Sequence, residues 1–362
     1  MRRIGKGRDV VWWLDLISRI SRLLADLISK LQGAEPPPAG CQVGWQPSAV
    51  APVFYGVRDY GPDDGTPGPL RVFFPSLDGA VFDAPILEGC AGYPLILFAH
   101  GHCDEAEHFK KWYQLPASLA RSGNVVVVPE LPNISSHPST ADHPALDRIQ
   151  AVLDWMRGGW THRTVLLPPP STGLVGHSYG AMLAARATMD APVSAYASIA
   201  GVWEDWPSGT IPLAEIQVPL LICRGTDDWF TTISESLWDG LPSPKHQALL
   251  QGAMHWDYLR PGATTCERGR GPCALTASIT TDLVTIFFAK HLPVQHWADL
   301  PARIPGSLVP PSVPLSWEQQ FFAGAHLTAF SQLRQLMGCR VYLRWVTDQG
   351  SGSTTRPRWW EF

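Results

Sequence analysis

Residues 172–180 are Thr172-Gly-Leu-Val-Gly-His-Ser-Tyr-Gly180, a short apolar run that leads into a G-x-S-x-G sequence. The run 172–175 is typical of a buried strand, and residues 181–189, Ala-Met-Leu-Ala-Ala-Arg-Ala-Thr-Met, are typical of a helix. Glycines on both sides of Ser178 allow a strand and a helix to approach closely at a sharp turn. The segment therefore predicts a strand–turn–helix with Ser178 on the turn, beside a helix N-terminus that favours developing negative charge.

The chain on either side of this turn alternates apolar strands with helices. We predict strands at 53–60, 70–74, 94–99, 124–128, 172–177, 194–199, 218–223 and 246–250, and helices near 107–121, 143–157, 180–189, 231–239 and 276–291. Near-continuous apolar strands separated by helices indicate a mostly parallel central sheet with helices on both faces. The predicted fold class is therefore α/β.

Composition separates this α/β domain, residues 53–292, from two flanking regions. Residues 1–34 are predicted to form an amphipathic helix, because apolar residues recur at helical spacing from Trp13 to Leu31. Residues 35–52 are a Pro-rich linker, since consecutive prolines cannot continue a helix. Residues 293–362 are predicted to be a small C-terminal extension, with a helix at 317–337 and a strand at 340–346.

The role of the N-terminal helix is open between three alternatives. It docks on its own domain or on a twin subunit, it lies in a membrane interface, or it is a targeting segment. A basic start and paired tryptophans favour membrane contact, while acidic residues on the polar face oppose strong attraction to anionic lipid. No stretch is long enough to span a bilayer. We therefore expect a cytoplasmic or membrane-peripheral protein that uses residues 10–31 for membrane contact or self-association.

Charge and cysteine content exclude several classes of protein. The 362 residues are 45% hydrophobic and carry a net charge of −4, so we expect no nucleic-acid partner. Seven cysteines without C-x-x-C spacing favour free thiols over a zinc site or a dense disulfide framework. A disulfide between Cys266 and Cys273 in an oxidising compartment is the alternative. We expect no metal and no cofactor.

To act as a nucleophile, a serine hydroxyl needs a base that takes its proton and an acid that orients the base. In this type of turn the chain order of the three residues is Ser, acid, His. Asp228 lies past the end of the strand at 218–223, where ligands bind in open α/β sheets, and is the favoured acid. Asp227 is the second choice, because it is expected to cap the turn or face solvent, and Asp205 is the third. His255, on the loop after the last core strand, is the predicted base.

When such a serine attacks a carbonyl carbon and takes up its acyl group, negative charge develops on the carbonyl oxygen. This acyl transfer therefore also requires N–H groups that donate hydrogen bonds to that oxygen. We assign these donors to the backbone of His102, after the first buried parallel strand, and of Tyr179, after Ser178. Tryptophans near these loops suggest a pocket lined by aromatic side chains for the acyl or the alcohol part of a substrate, with core packing as the equal alternative. They are Trp203, Trp206, Trp229 and Trp256.

Four motifs in this order resemble those of the α/β-hydrolase superfamily, and within it the cutinase-like, dienelactone-hydrolase-like and platelet-activating-factor-acetylhydrolase-like esterases. They are Phe98-Ala-His-Gly-His102, Gly176–Gly180, Gly225-Thr-Asp-Asp228 and Ala253-Met-His255. The resemblance covers residues 53–292 and implies an α/β-hydrolase fold and a metal-free serine hydrolase, acting on small-molecule or lipid-like esters through an acyl-enzyme. A thioesterase or a peptidase on the same residues is the alternative, as is a non-catalytic membrane-surface or interaction protein with a hydrolase-like core.

Overall fold

The structure is a computed structural model, which describes most of the predicted α/β domain and two short segments after it. The described residues are 54–76, 81–87, 92–102, 108–132, 143–201, 215–258 without 232, 234 and 243, 273–292, 341–346 and 360–361. The chain divides into two units, residues 1–52 and residues 53–362, and every described residue belongs to the second. The predicted N-terminal helix, the Pro-rich linker and the predicted helix at 317–337 lie outside the described residues.

The described segments contain ten strands and five α-helices. The strands are β1 (Phe54–Tyr60), β2 (Leu70–Ser76), β3 (Leu95–Ala99), β4 (Val125–Pro129), β5 (Thr172–His177), β6 (Ala195–Ile199), β7 (Leu220–Gly225), β8 (Lys245–Leu250), β9 (Val341–Val346) and β10 (Trp360–Glu361). The helices are α1 (Gln114–Arg121), α2 (Pro144–Gly158), α3 (Tyr179–Asp190), α4 (Glu235–Gly240) and α5 (Cys273–His291). Short 3₁₀ helices cover Pro62–Asp64, His108–Lys111 and Arg163–Val165. None of the helices within these segments is long and apolar enough to cross a membrane.

The strands form one sheet in the order β1-β2-β4-β3-β5-β6-β7-β8-β9-β10. The six central strands, β3 to β8, are parallel to one another. The pairs toward both edges of the sheet are antiparallel. The prediction of a mostly parallel α/β sheet is therefore confirmed. The chain order reverses at β3, which has β4 on one side and β5 on the other. Ligands of open α/β sheets bind at such a switch point, outside the carboxyl ends of the strands.

Apolar side chains alternate between the two faces of the sheet and build a core on each. In β3, Leu95 and Leu97 belong to one cluster, while Ile96 and Phe98 belong to the other. Helices α2 and α3 cover the first face, and α1 and α5 cover the second. Because strand side chains point alternately to opposite faces, a strand buried on both sides is apolar throughout, and this made β3 and β4 recognisable in the sequence.

Strand β9 comes from the predicted C-terminal extension and lies at the predicted position. It pairs antiparallel with β8, from Lys245 opposite Val346 to Leu250 opposite Val341, and β10 pairs with β9 in turn. Residues after 292 therefore lengthen the central sheet. The domain boundary at residue 292 stays a prediction.

Candidate active site

Ser178 occupies the turn between β5 and α3, as the strand–turn–helix prediction requires. Its backbone has φ 53° and ψ −124°, a positive-φ conformation that is rare for a residue with a Cβ. The N–H of Ser178 donates to the carbonyl oxygen of Ile199 at 3.0 Å, which ties the turn to the end of β6. Only 4% of Ser178 is exposed. The turn is therefore a strained and tightly held position for a hydroxyl group.

The two glycines of the G-x-S-x-G sequence are required by close packing. A Cβ at Gly176 would overlap the backbone of Gly180 and Ala181 at the start of α3. A Cβ at Gly180 would overlap the carbonyl oxygens of Ala99 and His100 at the end of β3. The strand, the helix and the loop after β3 therefore meet at Ser178 at distances that only glycine permits.

Ser178, His255 and Asp228 are joined by hydrogen bonds. The Ser178 Oγ lies 2.8 Å from His255 Nε2, and His255 Nδ1 lies 3.0 Å and 3.1 Å from the two carboxylate oxygens of Asp228. An ionised carboxylate only accepts, so Nδ1 carries the proton, and Nε2 of the neutral imidazole then accepts the hydrogen of the Ser178 hydroxyl. All three side chains are buried, and the structure brings together residues that lie 50 and 27 positions apart in the chain.

Of the two adjacent aspartates, Asp228 faces His255 and Asp227 does not. Asp227 is exposed, and its carboxylate accepts a hydrogen bond of 2.8 Å from the hydroxyl of Thr226. The Asp228 carboxylate also accepts the backbone N–H of Phe230 at 3.1 Å, which holds it in place. The third candidate, Asp205, lies outside the described residues.

The loops after β7 and β8, which carry Asp228 and His255, are bonded to each other. The N–H of Thr226 donates to the carbonyl oxygen of Leu250 at 3.0 Å, and the Thr226 hydroxyl accepts the N–H of Gly252 at 2.8 Å. Asp227 donates its N–H to the carbonyl oxygen of Ala253 at 3.1 Å. These bonds fix the distance between the acid and the imidazole through the backbone.

His177, the residue before Ser178, supports the loop that carries His255. Its side chain is fully buried, and its Nε2 donates to the backbone carbonyl oxygen of His255 at 3.0 Å. The His177 ring also lies 4.9 Å from the ring of Trp112 between centroids. Its bond to a loop 78 positions away has no local signal in the sequence.

Asp257, which was not predicted from the sequence, closes the turn that begins at Met254. Its carboxylate accepts the N–H of Met254 at 2.9 Å, and its own N–H donates to the Met254 carbonyl at 3.1 Å. Burial raises the pKa of Asp257, and the negative charges of Asp228 and Asp227 add to this rise, while the hydrogen bond from Met254 opposes it. An aspartate two residues after a candidate histidine is a turn signal that could have revealed it.

The loop after β3 contacts the turn at Ser178. A Cβ at Gly101 would lie 2.8 Å from His177 Nδ1 and 2.9 Å from the Cβ of Ser178, so this loop is in direct contact with the serine. His102 follows directly, and its ring centroid lies 6.1 Å from that of Tyr179, the first residue of α3. The two predicted backbone donors, His102 and Tyr179, are thus on segments that border Ser178.

Aromatic rings surround His255. The rings of Phe230 and Trp256 have centroids 5.0 Å and 5.1 Å from the imidazole, and Trp229 stacks on Phe230 at 3.5 Å. Phe230 was not predicted. Trp203 and Trp206, the other two predicted pocket residues, lie outside the described residues.

The described segments were also searched for metal ligands and for reactive cysteines. Within those segments, no group of three or more His, Cys, Asp or Glu side chains is placed to hold a metal ion. The buried Cys223 is a free thiol, and burial raises its pKa to about 12. Cys266 and the side chain of Cys273 lie outside the described residues.

Comparison with known proteins identifies the family. Residues 96–350, more than half of the chain, match the family described as the alpha/beta hydrolase family. The match extends past residue 292 and includes β9. A search of curated proteins found no match.

Proposed function

Because the chain belongs to the α/β-hydrolase family, we propose that it is a carboxylic ester hydrolase that uses Ser178, His255 and Asp228. The observation that carries this proposal is the buried series of hydrogen bonds from Asp228 to His255 at 3.0 Å and from His255 to Ser178 at 2.8 Å. A base within hydrogen-bond reach of a hydroxyl, with a third group orienting the base, is the arrangement that activates a serine. The finer similarity to cutinase-like and related esterases is part of the same proposal.

In the first step, Ser178 Oγ attacks the ester carbonyl carbon while His255 Nε2 takes its proton. The carbonyl oxygen becomes an oxyanion, which accepts hydrogen bonds from the backbone N–H groups of His102 and Tyr179. Preorganised donors of this kind contribute about 3 kcal/mol each to the stability of the transition state. Tyr179 is the first residue of α3, so the positive end of the helix adds to the same stabilisation.

In the second step, the bond between the carbonyl carbon and the alcohol oxygen breaks, and His255 gives its proton to that oxygen. The acyl group remains on Ser178. A water molecule then attacks the acyl carbon and loses its proton to His255. The bond from that carbon to Ser178 Oγ breaks, His255 returns the proton to Oγ, and the carboxylic acid leaves. Asp228 keeps the other His255 proton on Nδ1 and stabilises the imidazolium that forms when Ser178 attacks and again when water attacks.

The proposal is tested by Ser178→Ala, assayed with p-nitrophenyl acetate and with a fluorophosphonate probe that reacts with activated serines. We expect Ser178→Ala to lose hydrolysis and labelling while its thermal unfolding stays that of a folded protein. Ser122→Ala, at the end of α1, is the matched control and should keep both activities. Near-wild-type hydrolysis by Ser178→Ala would refute the assignment.

The same experiment separates the alternatives. A folded wild-type chain that never reacts with the probe favours a non-catalytic interaction protein. A chain that reacts but hydrolyses thioesters or peptides faster than esters favours the other two alternatives, which use the same residues. Liposome flotation with and without residues 1–34 tests the proposed membrane contact, and sedimentation of the same two proteins tests self-association.

A further inference from the structure

Three aromatic side chains, Trp229, Phe230 and Trp256, form what we call the aromatic wall. Phe230 and Trp256 each contact His255, at 5.0 Å and 5.1 Å between ring centroids. Trp229 stacks on Phe230 with an interplanar angle of 29° and is itself exposed to solvent. The wall therefore extends from the imidazole toward solvent.

The outer part of this wall is unusually exposed. Trp229 is 72% exposed and Trp256 is 41% exposed, although His255 between them is only 7% exposed. Within the described segments, two other large apolar side chains are exposed, Phe54 and Phe82, and both lie near the β1 edge of the sheet. Exposed apolar surface at a candidate reaction centre is a feature of binding sites for apolar ligands.

The order of the proposed reaction determines which part of a substrate would meet the aromatic wall. His255 Nε2 gives its proton to the alcohol oxygen, so that oxygen must come within hydrogen-bond distance of the imidazole. The carbonyl oxygen points instead toward His102 and Tyr179, on the loop after β3 and on α3. The rings that contact His255 are therefore next to the alcohol side of the ester.

We propose that the aromatic wall binds the alcohol part of the substrate and that the protein prefers esters whose alcohol carries an aromatic ring. This inference rests on the proposed ester hydrolysis. The exposed ring of Trp229 and the edge of Trp256 offer flat apolar surfaces on which such a ring stacks or makes edge-to-face contact. Specificity would then lie mainly in the leaving group.

The test compares two isomers, benzyl acetate and methyl phenylacetate, which have the same atoms but carry the ring on the alcohol side and on the acyl side. Each kcat/KM is divided by the rate of alkaline hydrolysis of the same ester, which removes the difference in intrinsic reactivity. We expect benzyl acetate to be favoured about fivefold, since an aromatic pair contributes enough for about a 2- to 13-fold effect.

Substitution of Trp229 distinguishes a binding role from a structural one. Trp229→Ala should lower kcat/KM for benzyl acetate more than for methyl phenylacetate and bring their ratio close to one. A purely structural role would lower both rates equally and leave the ratio unchanged. Phe82→Ala removes an aromatic ring of similar exposure (60%) at the β1 edge and should leave the ratio as in the wild type.

The outcomes separate this inference from the proposed function. Ester hydrolysis without preference for benzyl acetate, or an unchanged ratio in Trp229→Ala, overturns the inference alone. If no ester is hydrolysed and the fluorophosphonate probe does not react with Ser178, the proposed function fails, and the inference fails with it.

Discussion

Asp228→Asn should damage turnover far more than the same change at the neighbouring Asp227. The Asp228 carboxylate is 3.0 Å from His255 Nδ1 and accepts a backbone N–H of Phe230 at 3.1 Å. Asparagine has nearly the same shape but no charge, and its amide presents a donor where an acceptor is needed. The imidazole then favours the tautomer with its proton on Nε2, which cannot accept the proton of Ser178.

The size of the effect follows from the charge pair that would form during the proposed reaction. An imidazolium and a carboxylate about 4 Å apart interact by about 4 kcal/mol at an effective dielectric constant of about 20. Loss of this energy slows the reaction by about a thousandfold, and the wrong tautomer adds to the loss. We therefore expect kcat to fall about 10³- to 10⁴-fold while KM changes little.

The assay is steady-state hydrolysis of p-nitrophenyl acetate by wild type, Asp228→Asn and Asp227→Asn, with urea unfolding of each protein. Asp227→Asn removes the same charge from an exposed side chain and should stay within about twofold of wild type. An equal loss in both variants would show that charge alone matters. A greater loss in Asp227→Asn would transfer the orienting role to that residue and refute the geometric argument.

Three further predictions concern the surroundings of the site. Gly101→Ala places a methyl group 2.9 Å from the Ser178 Cβ and should lower kcat about a hundredfold. Gly158→Ala adds a methyl group in open space and should leave kcat unchanged, so equal kinetics in the two variants would contradict this prediction. His177→Phe removes the donor to the His255 carbonyl and should lower the free energy of unfolding by about 1–3 kcal/mol in urea titrations, and an unchanged midpoint would show that this bond is dispensable. Burial lowers the pKa of His246 and His291 to about 3, with Lys290 adding to both shifts and His246 to that of His291. In the unfolded chain these histidines have a pKa near 6.5, so below that pH the unfolded chain binds more protons than the folded protein. The free energy of unfolding therefore falls as pH drops below about 6.5, by up to about 1.4 kcal/mol per pH unit for each histidine. His291→Gln should reduce this slope, and an identical slope in the variant would refute the shift.

Most of the described elements could be predicted because their signals are local. β5, its turn and α3 follow from one continuous run of residues, and the observed ranges, Thr172–His177 and Tyr179–Asp190, differ from the predicted ones by no more than one residue at each end. The apolar strands β3 and β4 were recognisable because both of their faces are buried. The antiparallel pairing of β9 with β8 had no such signal, since pairing partners depend on the path of the chain.

The candidate site was likewise predictable from the sequence in part only. Ser178 and His255 were predicted from their positions after strands, and the structure places their side chains 2.8 Å apart. The choice between Asp227 and Asp228 depends on which of two consecutive side chains turns inward. The bonds between the loops after β7 and β8 decide that direction, and they join residues that are far apart in sequence.

Local order along the chain was therefore sufficient to predict the α/β class, the turn at Ser178 and the loops that carry its partners, because strand and helix periodicity are properties of neighbouring residues. Only the tertiary structure decided which aspartate faces the imidazole, that His177 donates to the His255 backbone, and that aromatic rings enclose His255. Each of these depends on side-chain direction across contacts between distant segments, which packing and hydrogen bonding determine only after the sheet has assembled.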